Sequence, residues 1–346
     1  QMSRFRYEIL CFKNDGVYQL NKAIEEIYGV SQSKTDSNPS GSESMETVDV
    51  QLSDGTRCKV PYGKISLPDA GEEANINIQY KDGSSTLYIT GCCEFRFASM
   101  IDDIVERTKD LLTSQSIYKN QAIELSDDYV PKILNLSNID SEFMVLSEET
   151  EYDLQPLQSR LLHPDKCISK GISLKYGCLM EGPYGTGKTL LAFKLAREAV
   201  QNGWVFIYLK TPSLLAHTLR LAHTIDKNGH GVVIFVEDID QVVRGNRDGA
   251  MQDILNTLDG GDTKDMNVIS LFTTNHIELI EPTFLRGKRI GSIVSLTFLD
   301  AKTAKKFIVK TFSKDGYTVE EEGMDEVYNL IEKSEIAPAF MAEITE

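Results

Sequence analysis

The sequence has few of the features that mark secreted, metal-binding or membrane proteins. Its six cysteines are scattered without the paired spacing of a metal site, so we expect them to be reduced thiols. No apolar run approaches the length of a membrane span, and no apolar segment typical of a secretory signal follows Gln1. Basic residues are outnumbered, with 36 Lys and Arg against 52 Asp and Glu, which counts against a general nucleic-acid-binding surface. We therefore expect a cytoplasmic protein without membrane partners, and nucleic acid is disfavoured as a partner.

The most informative feature that is present is residues 182–189, whose sequence GPYGTGKT fits the phosphate-binding loop pattern G-x-x-x-x-G-K-[ST]. The glycines let the backbone curl so that consecutive N–H groups point at a phosphate chain. Lys188 is expected to reach the outer phosphates, and the Thr189 hydroxyl is expected to ligate Mg²⁺. The predicted nucleotide-contacting residues are Gly182, Pro183, Tyr184, Gly185, Thr186, Gly187, Lys188, Thr189 and Leu190.

The segments on either side of this loop agree with a nucleotide site. Residues 172–180 carry short apolar stretches that predict a buried strand entering the loop. Residues 190–200 repeat apolar side chains at helical spacing, and the helix is expected to stop at Gly203. The loop is thus predicted to lie at a helix N-terminus, where the positive end of the helix dipole favours phosphate.

Two acids follow the apolar segment 232–236, namely Glu237 and Asp238. Ligands bind at the carboxyl ends of parallel strands, so these acids are expected beside the phosphates. One carboxylate would hold Mg²⁺, directly or through water, and the other would orient or deprotonate the attacking water. A solvated acidic turn is the alternative interpretation. Asn275, after the apolar segment 268–274, is predicted to hydrogen-bond the water and the γ-phosphate, or else to cap the following turn.

Arg286 and Arg289 supply two guanidinium groups that stay charged at any working pH. A guanidinium that contacts the developing charge on a γ-phosphate accelerates hydrolysis roughly 10³- to 10⁵-fold. Surface salt bridging, worth about 0–1 kcal/mol, is the other use of such side chains. The residues alone leave both interpretations open.

In their order along the chain, these motifs resemble the AAA branch of the AAA+ ATPases over roughly residues 165–300. The set comprises the phosphate loop, the two acids after an apolar strand, Thr274 with Asn275, and the segment 281–289, EPTFLRGKR. That segment is similar to the D-P-A-L-L-R-x-G-R stretch of the family. The resemblance implies a P-loop NTPase fold, ATP as the nucleotide, Mg²⁺ as the cofactor and ATP hydrolysis as the reaction.

The resemblance also assigns roles to single residues. It implies that Asn275 is sensor 1 and that Arg289 is an arginine finger reaching a neighbour's ATP, with Arg286 supporting it. By position, Glu237 would serve Mg²⁺ and Asp238 would polarise the water. The family forms homo-oligomeric rings, usually of six subunits, with one site at each interface.

Three departures from the family pattern are present. The family usually ends its acidic strand in Asp-Glu, and the shorter Asp238 requires a closer water or a slow turnover. Ser292 stands where many members carry another arginine. Residues 213–220 contain no aromatic side chain for a central pore, which counts against peptide threading. In that stretch His217 is expected to be a surface histidine.

Composition and periodicity suggest how the chain is divided. Residues 31–46 hold almost nothing able to fill a core and are predicted to form a mobile loop. The predicted fold class is α/β, a P-loop NTPase parallel sheet with helices on both faces, followed by a small helical lid and preceded by a small α+β domain. The expected units are an α+β recruiting or adaptor domain at 1–125, a connector at 126–165, an AAA nucleotide-binding domain at 166–299 and a helical lid at 300–346.

Three functions are compatible with these patterns. The first is an ATP-driven ring motor that remodels a macromolecule, in particular a protein, recruited by residues 1–125. The second is a nucleotide-gated assembly or scaffold protein with slow turnover, which the order of Glu237 and Asp238 and the absence of an aromatic residue from 213–220 favour. The third is a loader-type ATPase acting on DNA, which the net charge of −16 disfavours.

Overall fold

The computed structural model describes residues 2–29, 46–139, 144–225, 230–243, 249–259, 267–286, 289–320 and 322–345. These residues form a seven-stranded sheet, a four-stranded sheet and a two-stranded hairpin, together with ten α-helices. The predicted α/β fold class is confirmed. None of the helices in these ranges is long and apolar enough to cross a bilayer.

The N-terminal part consists of six strands and two helices. In chain order these are β1 (Met2–Leu10), α1 (Lys13–Tyr28), β2 (Thr47–Gln51), β3 (Arg57–Pro61), β4 (Gly63–Ser66), β5 (Asn75–Lys81), β6 (Thr86–Glu94) and α2 (Ala98–Ser114). The larger sheet has the order β1-β6-β5-β4 with antiparallel neighbours, and β2 pairs with β3 in the hairpin. The two helices pack on each other because each has an apolar stripe at helical spacing.

The seven-stranded sheet lies at the centre of the α/β part of the chain, which extends from Ala122 to Ser295. Its strands are β7 (Ala122–Leu125), β8 (Lys132–Ile133), β9 (Tyr176–Glu181), β10 (Val205–Leu209), β11 (Val232–Val236), β12 (Val268–Thr274) and β13 (Ser292–Ser295). Their spatial order is β13-β9-β12-β11-β10-β7-β8, and every neighbouring pair is parallel except β7 with β8. The helices of this domain are α3 (Glu148–Leu162), α4 (Pro164–Ser169), α5 (Lys188–Gln201), α6 (Leu215–Ile225) and α7 (Gly249–Asp259).

Alternate residues of the central strands face two different layers, because side chains on a strand have a period of two. In β10, Val205, Ile207 and Leu209 belong to a buried cluster with α6, α7 and the N-terminal part. Phe206 belongs to a second cluster with α3 and α5. Burial on both faces explains why these strands are continuous apolar runs in the sequence. The first cluster extends from the N-terminal sheet into the α/β part of the chain, so the two parts share one hydrophobic core.

The C-terminal part is a helical lid of α8 (Ala301–Lys314), α9 (Met324–Lys333) and α10 (Pro338–Thr345). Helix α8 begins after Asp300, whose carboxylate accepts a 2.6 Å hydrogen bond from the backbone N–H of Thr303. A small separate cluster that includes Phe307 and Tyr328 holds the lid together.

Strands β7 and β8 join the seven-stranded sheet across two predicted boundaries of the chain. The N-terminal unit was expected to end at residue 125, but β7 at its end is hydrogen-bonded to β10 and belongs to the seven-stranded sheet. Likewise β8, within the expected connector, extends the edge of that sheet through β7. The physical reason is a long-range parallel pairing that local composition does not reveal. The predicted mobile loop at 31–46 lies outside the described residues, apart from Glu46.

Candidate nucleotide-binding site

The phosphate loop follows the carboxyl end of β9 and leads into α5. Three of its glycines have positive φ angles, 146° at Gly182, 78° at Gly185 and 94° at Gly187. A Cβ atom on Gly182 would also lie 2.0 Å from the carbonyl oxygen of Leu296. Both the curl of the loop and its close packing against the chain after β13 therefore require glycine.

Lys188, the first residue of α5, is buried with 7% of its surface exposed. Its Nζ donates hydrogen bonds of 2.7 Å to the carbonyl oxygens of Gly182 and Pro183. Burial lowers the pKa of Lys188, and the nearby carboxylates of Asp238 and Glu181 oppose this shift. The ammonium group is thus held inside the curl of the loop, where a phosphate chain would lie.

Thr189, Glu237 and Tyr208 form a hydrogen-bonded row across the floor of the site. The Thr189 hydroxyl donates to Oε1 of Glu237, and the Tyr208 hydroxyl donates to Oε2 of the same carboxylate. The row forms because β10 and β11 are parallel neighbours with Leu209 paired to Val236, which brings their carboxyl ends together. Thr189 is exposed and Glu237 is half-buried, so the Thr189 hydroxyl and the Glu237 carboxylate are both accessible from the cavity.

Asp238 has a left-handed backbone with φ 46°, which costs a non-glycine residue about 1 kcal/mol or more. Its N–H donates to Oγ1 of Thr273 at 3.1 Å, and its Oδ1 accepts from Nδ2 of Asn275 at 3.0 Å. Burial raises the pKa of Asp238, and the charges of Asp240 and Glu237 raise it further. The strained turn and the two hydrogen bonds fix this carboxylate beside the predicted sensor amide.

These side chains line a cavity of about 860 Å³ between the phosphate loop and the lid. Ligand pockets for small molecules occupy roughly 300–1,000 Å³. Val145 and Phe307 give one side of the cavity an apolar surface, while Thr189, Glu237 and Asp238 supply oxygen atoms on the other. The cavity therefore has room for a nucleotide.

The chemistry of this donor set fits Mg²⁺ and ATP. Magnesium prefers hard oxygen ligands and commonly takes one or two from the protein. Thr189 and Glu237 offer a hydroxyl and a carboxylate oxygen in direct contact, so one cation can reach both. The N-terminus of α5 and the curled backbone around Gly185 present N–H groups to an anion.

Neither predicted arginine lines this cavity in a single chain. Arg286 is exposed, and residues 287–288 lie outside the described ranges. The side chain of Arg289 is 16% exposed and donates to the carbonyl oxygen of Thr283 and to the carboxylate of Asp259. Its backbone packs on Gly177 near the start of β9. The phosphate loop follows the other end of this strand, about 15 Å from Gly177 along the strand. The finger role of Arg289 stays a prediction that concerns a neighbouring subunit.

The stretch 213–220 is covered by the N-terminal part and does not form an exposed loop. Five of its side chains are buried, namely Leu214, Leu215, Ala216, Thr218 and Leu219. His217 is half-buried, and its Nε2 lies 2.7 Å from Oγ of Ser85 at the tip of the β5–β6 hairpin. Its ring also meets Tyr129 edge-on at 5.3 Å between centroids. The expectation of a surface histidine is therefore wrong.

Sequence inspection misses two groups at this site. Tyr208 is one, although its place at the end of an apolar strand that precedes the acidic strand is a usable signal. The second is the contact of Thr274, itself part of the predicted motif set, with Asp240: the Thr274 hydroxyl donates a 2.9 Å hydrogen bond to the buried Asp240 carboxylate. This pair ties the turn after β11 to the end of β12.

Comparison with known proteins agrees with this geometry. A protein-family model described as "ATPase family associated with various cellular activities (AAA)" matches residues 178–298. The chain is similar to the ATP-dependent zinc metalloprotease FtsH of Helicobacter felis, with 31% identity over 175 residues, 46% of this chain and 27% of that protein. It is also similar to the proteasome-associated ATPase of Renibacterium salmoninarum, with 29% identity over 199 residues, 49% of this chain and 33% of that protein.

A third relative is the FtsH metalloprotease of Mesoplasma florum, 28% identical over 202 residues, which are 55% of this chain and 29% of that protein. The chain thus spans about a third or less of the length of each of these relatives. The printed names of these relatives describe them as ATP-dependent or as an ATPase.

Proposed function

Residues 178–298 form a domain of the AAA family of ATPases, and from this premise we propose that the chain binds ATP with Mg²⁺ and hydrolyses it to ADP and phosphate. The observation that carries the proposal is the position of Glu237, Asp238 and Asn275 at the ends of neighbouring strands beside the phosphate loop. Mg²⁺ held by Thr189 and Glu237 would supply the positive charge that stabilises the phosphates during transfer.

Three side chains carry the remaining catalytic roles in this proposal. Asp238 orients the attacking water and accepts its proton while the new bond to the γ-phosphorus forms and the bond to the β–γ bridging oxygen breaks. Asn275 holds the Asp238 carboxylate in place through its amide N–H. Lys188 releases the loop carbonyls and donates to the outer phosphates.

The active form in this proposal is a homo-oligomeric ring of six subunits. Arg289 of one subunit contacts the γ-phosphate bound by its neighbour, and Arg286 supports it. Two observations support an intersubunit role. Arg289 packs at the amino end of β9, whereas the phosphate loop of its own chain follows the carboxyl end of that strand. Its guanidinium is nevertheless partly exposed.

The proposed substrate is a protein, which is recruited or adapted through residues 1–125. The printed names of the relatives, a metalloprotease and a proteasome-associated ATPase, favour a protein substrate. Burial of the stretch 213–220 under the N-terminal part argues that this stretch does not grip a threaded peptide. A conformational change at the nucleotide site would then reach the substrate through the hydrophobic core that joins the N-terminal sheet to β10.

Calorimetry and phosphate release together test the proposal. Wild type should bind ATP in the presence of Mg²⁺ and release phosphate, and Lys188→Ala should lose both by at least about 100-fold. Lys194→Ala is the matched control, because Lys194 lies on the same helix outside the cavity. Equal hydrolysis by wild type and Lys188→Ala would overturn the site assignment.

A second candidate is an assembly protein that binds ATP tightly and hydrolyses it slowly. The short side chain and strained backbone of Asp238 favour it, since they limit how far the carboxylate can follow the water. A steady-state turnover above about 1 s⁻¹ would eliminate this candidate. A loader acting on DNA remains disfavoured by the net charge of −16.

A further inference from the structure

Tyr208 lies at the carboxyl end of β10 with its ring fixed between two other aromatic side chains. Phe193 meets the ring edge-on at 5.5 Å between centroids, and Phe235 stacks on it at 5.3 Å. The ring is half-buried, and its hydroxyl points at the carboxylate of Glu237. A phenol held by packing on two sides is a rigid hydrogen-bond donor.

Glu237 needs such a donor because its carboxylate is otherwise mobile. A glutamate has several rotatable bonds, and fixing them costs rotamer entropy. One of its oxygens accepts from Thr189 and the other from Tyr208, so the plane and the direction of the carboxylate are both set. When the Thr189 hydroxyl turns to a cation, the hydrogen bond from Tyr208 still holds the carboxylate.

We propose that Tyr208 is a positioning residue of the divalent-cation site, holding Oε2 of Glu237 so that Oε1 and the Thr189 hydroxyl are presented together to Mg²⁺. The inference rests on the proposed function, because it assigns Tyr208 to the same site. Tyr208 acts through Glu237 and does not itself contact the cation or the nucleotide. Register supports this arrangement, because Leu209 pairs with Val236 and brings the two side chains together at adjacent strand ends.

The test measures cation-dependent binding and does not depend on turnover. The non-hydrolysable ATP analogue adenylyl imidodiphosphate is titrated into the full chain in EDTA and then at stepwise MgCl₂ concentrations. Tyr208→Phe keeps the ring and removes only the hydroxyl. We expect it to melt near the wild-type temperature, to bind the analogue normally in EDTA, and to need roughly tenfold more MgCl₂ for half of the Mg²⁺-dependent gain in affinity. Tyr152→Phe, at a tyrosine that is 70% exposed on α3, is the control.

A double-variant comparison separates positioning from packing. If Tyr208 acts through Glu237, Tyr208→Phe should have no further effect on the MgCl₂ requirement in a Glu237→Ala background. An unchanged MgCl₂ requirement in Tyr208→Phe, or an equal shift in the presence and absence of Glu237, would overturn the inference. Failure of wild type to bind the analogue at any MgCl₂ concentration would instead contradict the proposed function.

Discussion

The hydroxyl oxygen of Ser85 lies 2.7 Å from Nε2 of His217, so the tip of an N-terminal hairpin is hydrogen-bonded to the helix that follows β10. Ser85 is fully buried and has a left-handed backbone with φ 47°. A residue keeps such a conformation only where the surrounding structure holds it. Helix α6 follows β10, the strand that carries Tyr208, so the contact joins the N-terminal sheet to the helix next in the chain after the candidate nucleotide site.

This contact should contribute measurably to stability. We expect Ser85→Ala and His217→Ala each to lower the free energy of unfolding by about 1–2 kcal/mol, because each removes a hydrogen bond in a partly buried place. The double variant should cost about 1 kcal/mol less than the sum of the single variants, since the bond can be lost only once. Urea denaturation of the four proteins measures this coupling. Strict additivity would show that the two side chains do not interact.

As the pH is lowered, hydrolysis should be lost at a higher pH than the titration of an ordinary aspartate would give. Asp238 must be ionised to accept a proton from water, and burial together with Asp240 and Glu237 raises its pKa. Activity is therefore full above that raised pKa and is lost as the pH falls through it. An ordinary aspartate titrates near pH 4, and we expect the acid limb of kcat to lie above that pH.

Asp238→Asn provides the control for this assignment. It should lower kcat by about 10²- to 10⁴-fold and abolish the acid limb, while Mg²⁺-dependent nucleotide binding persists. Phosphate release measured between pH 4 and pH 8 reads out both effects. The assignment fails if the variant keeps the wild-type profile.

The sequence predicts those parts of the site that depend on patterns among residues close together in the chain. Each of these patterns, namely the glycine spacing of the phosphate loop, the helical spacing after it and the acids after an apolar run, is contained in a short stretch of the chain. The strand predicted over 172–180 is β9, and the helix predicted over 190–200 is α5. These elements form where expected because periodicity and turn chemistry act locally.

The parts that the sequence does not predict depend on distant pairing. Strand β7 has four residues and β8 has two, which are too few for an alternation of apolar and polar side chains to be recognised. The position of β7 depends instead on its parallel pairing with β10. The Tyr208 hydrogen bond needs the register of β10 against β11. The contact of Ser85 with His217 joins residues far apart in the chain. No local propensity carries such information.

Mixing two inactive variants should restore hydrolysis if Arg289 acts on a neighbour's nucleotide. Lys188→Ala lacks its own phosphate lysine, and Arg289→Ala lacks the finger. In a randomly mixed ring about a quarter of the interfaces combine an intact Lys188 with an intact Arg289. We expect each variant alone to lose at least about 100-fold in rate and an equal mixture to recover a substantial part of the wild-type rate.

Arg289 also donates hydrogen bonds to Asp259 and Thr283 within its own chain, so Arg289→Ala requires a stability control. Arg289→Lys keeps the charge at this position and should retain more of the fold while losing the planar guanidinium. Melting temperature and sedimentation of each variant check folding and assembly. No recovery on mixing two folded, co-assembling variants would rule out action on a neighbour.

Asp15 gives a test of stability that is independent of nucleotide. This carboxylate is 3% exposed in the first turn of α1 and accepts hydrogen bonds from Ser116, Gln19 and the backbone N–H of Ile117. Burial raises its pKa from 3.8 to about 6, and these hydrogen bonds oppose that shift. The folded state therefore binds the Asp15 proton more tightly than the unfolded state does.

The stabilisation from this proton is fully present below pH 3.8 and is lost as the pH rises through about 6. Asp15→Asn imitates the protonated side chain, so it should match wild type at pH 4 and be more stable than wild type at pH 7 by up to about 3 kcal/mol. Asp103→Asn, at an exposed position on α2, should show no such pH-dependent difference. Urea denaturation of the three proteins at both pH values makes the comparison, and a wild type that is the more stable protein at pH 7 would mean that Asp15 is held as a favourable buried anion.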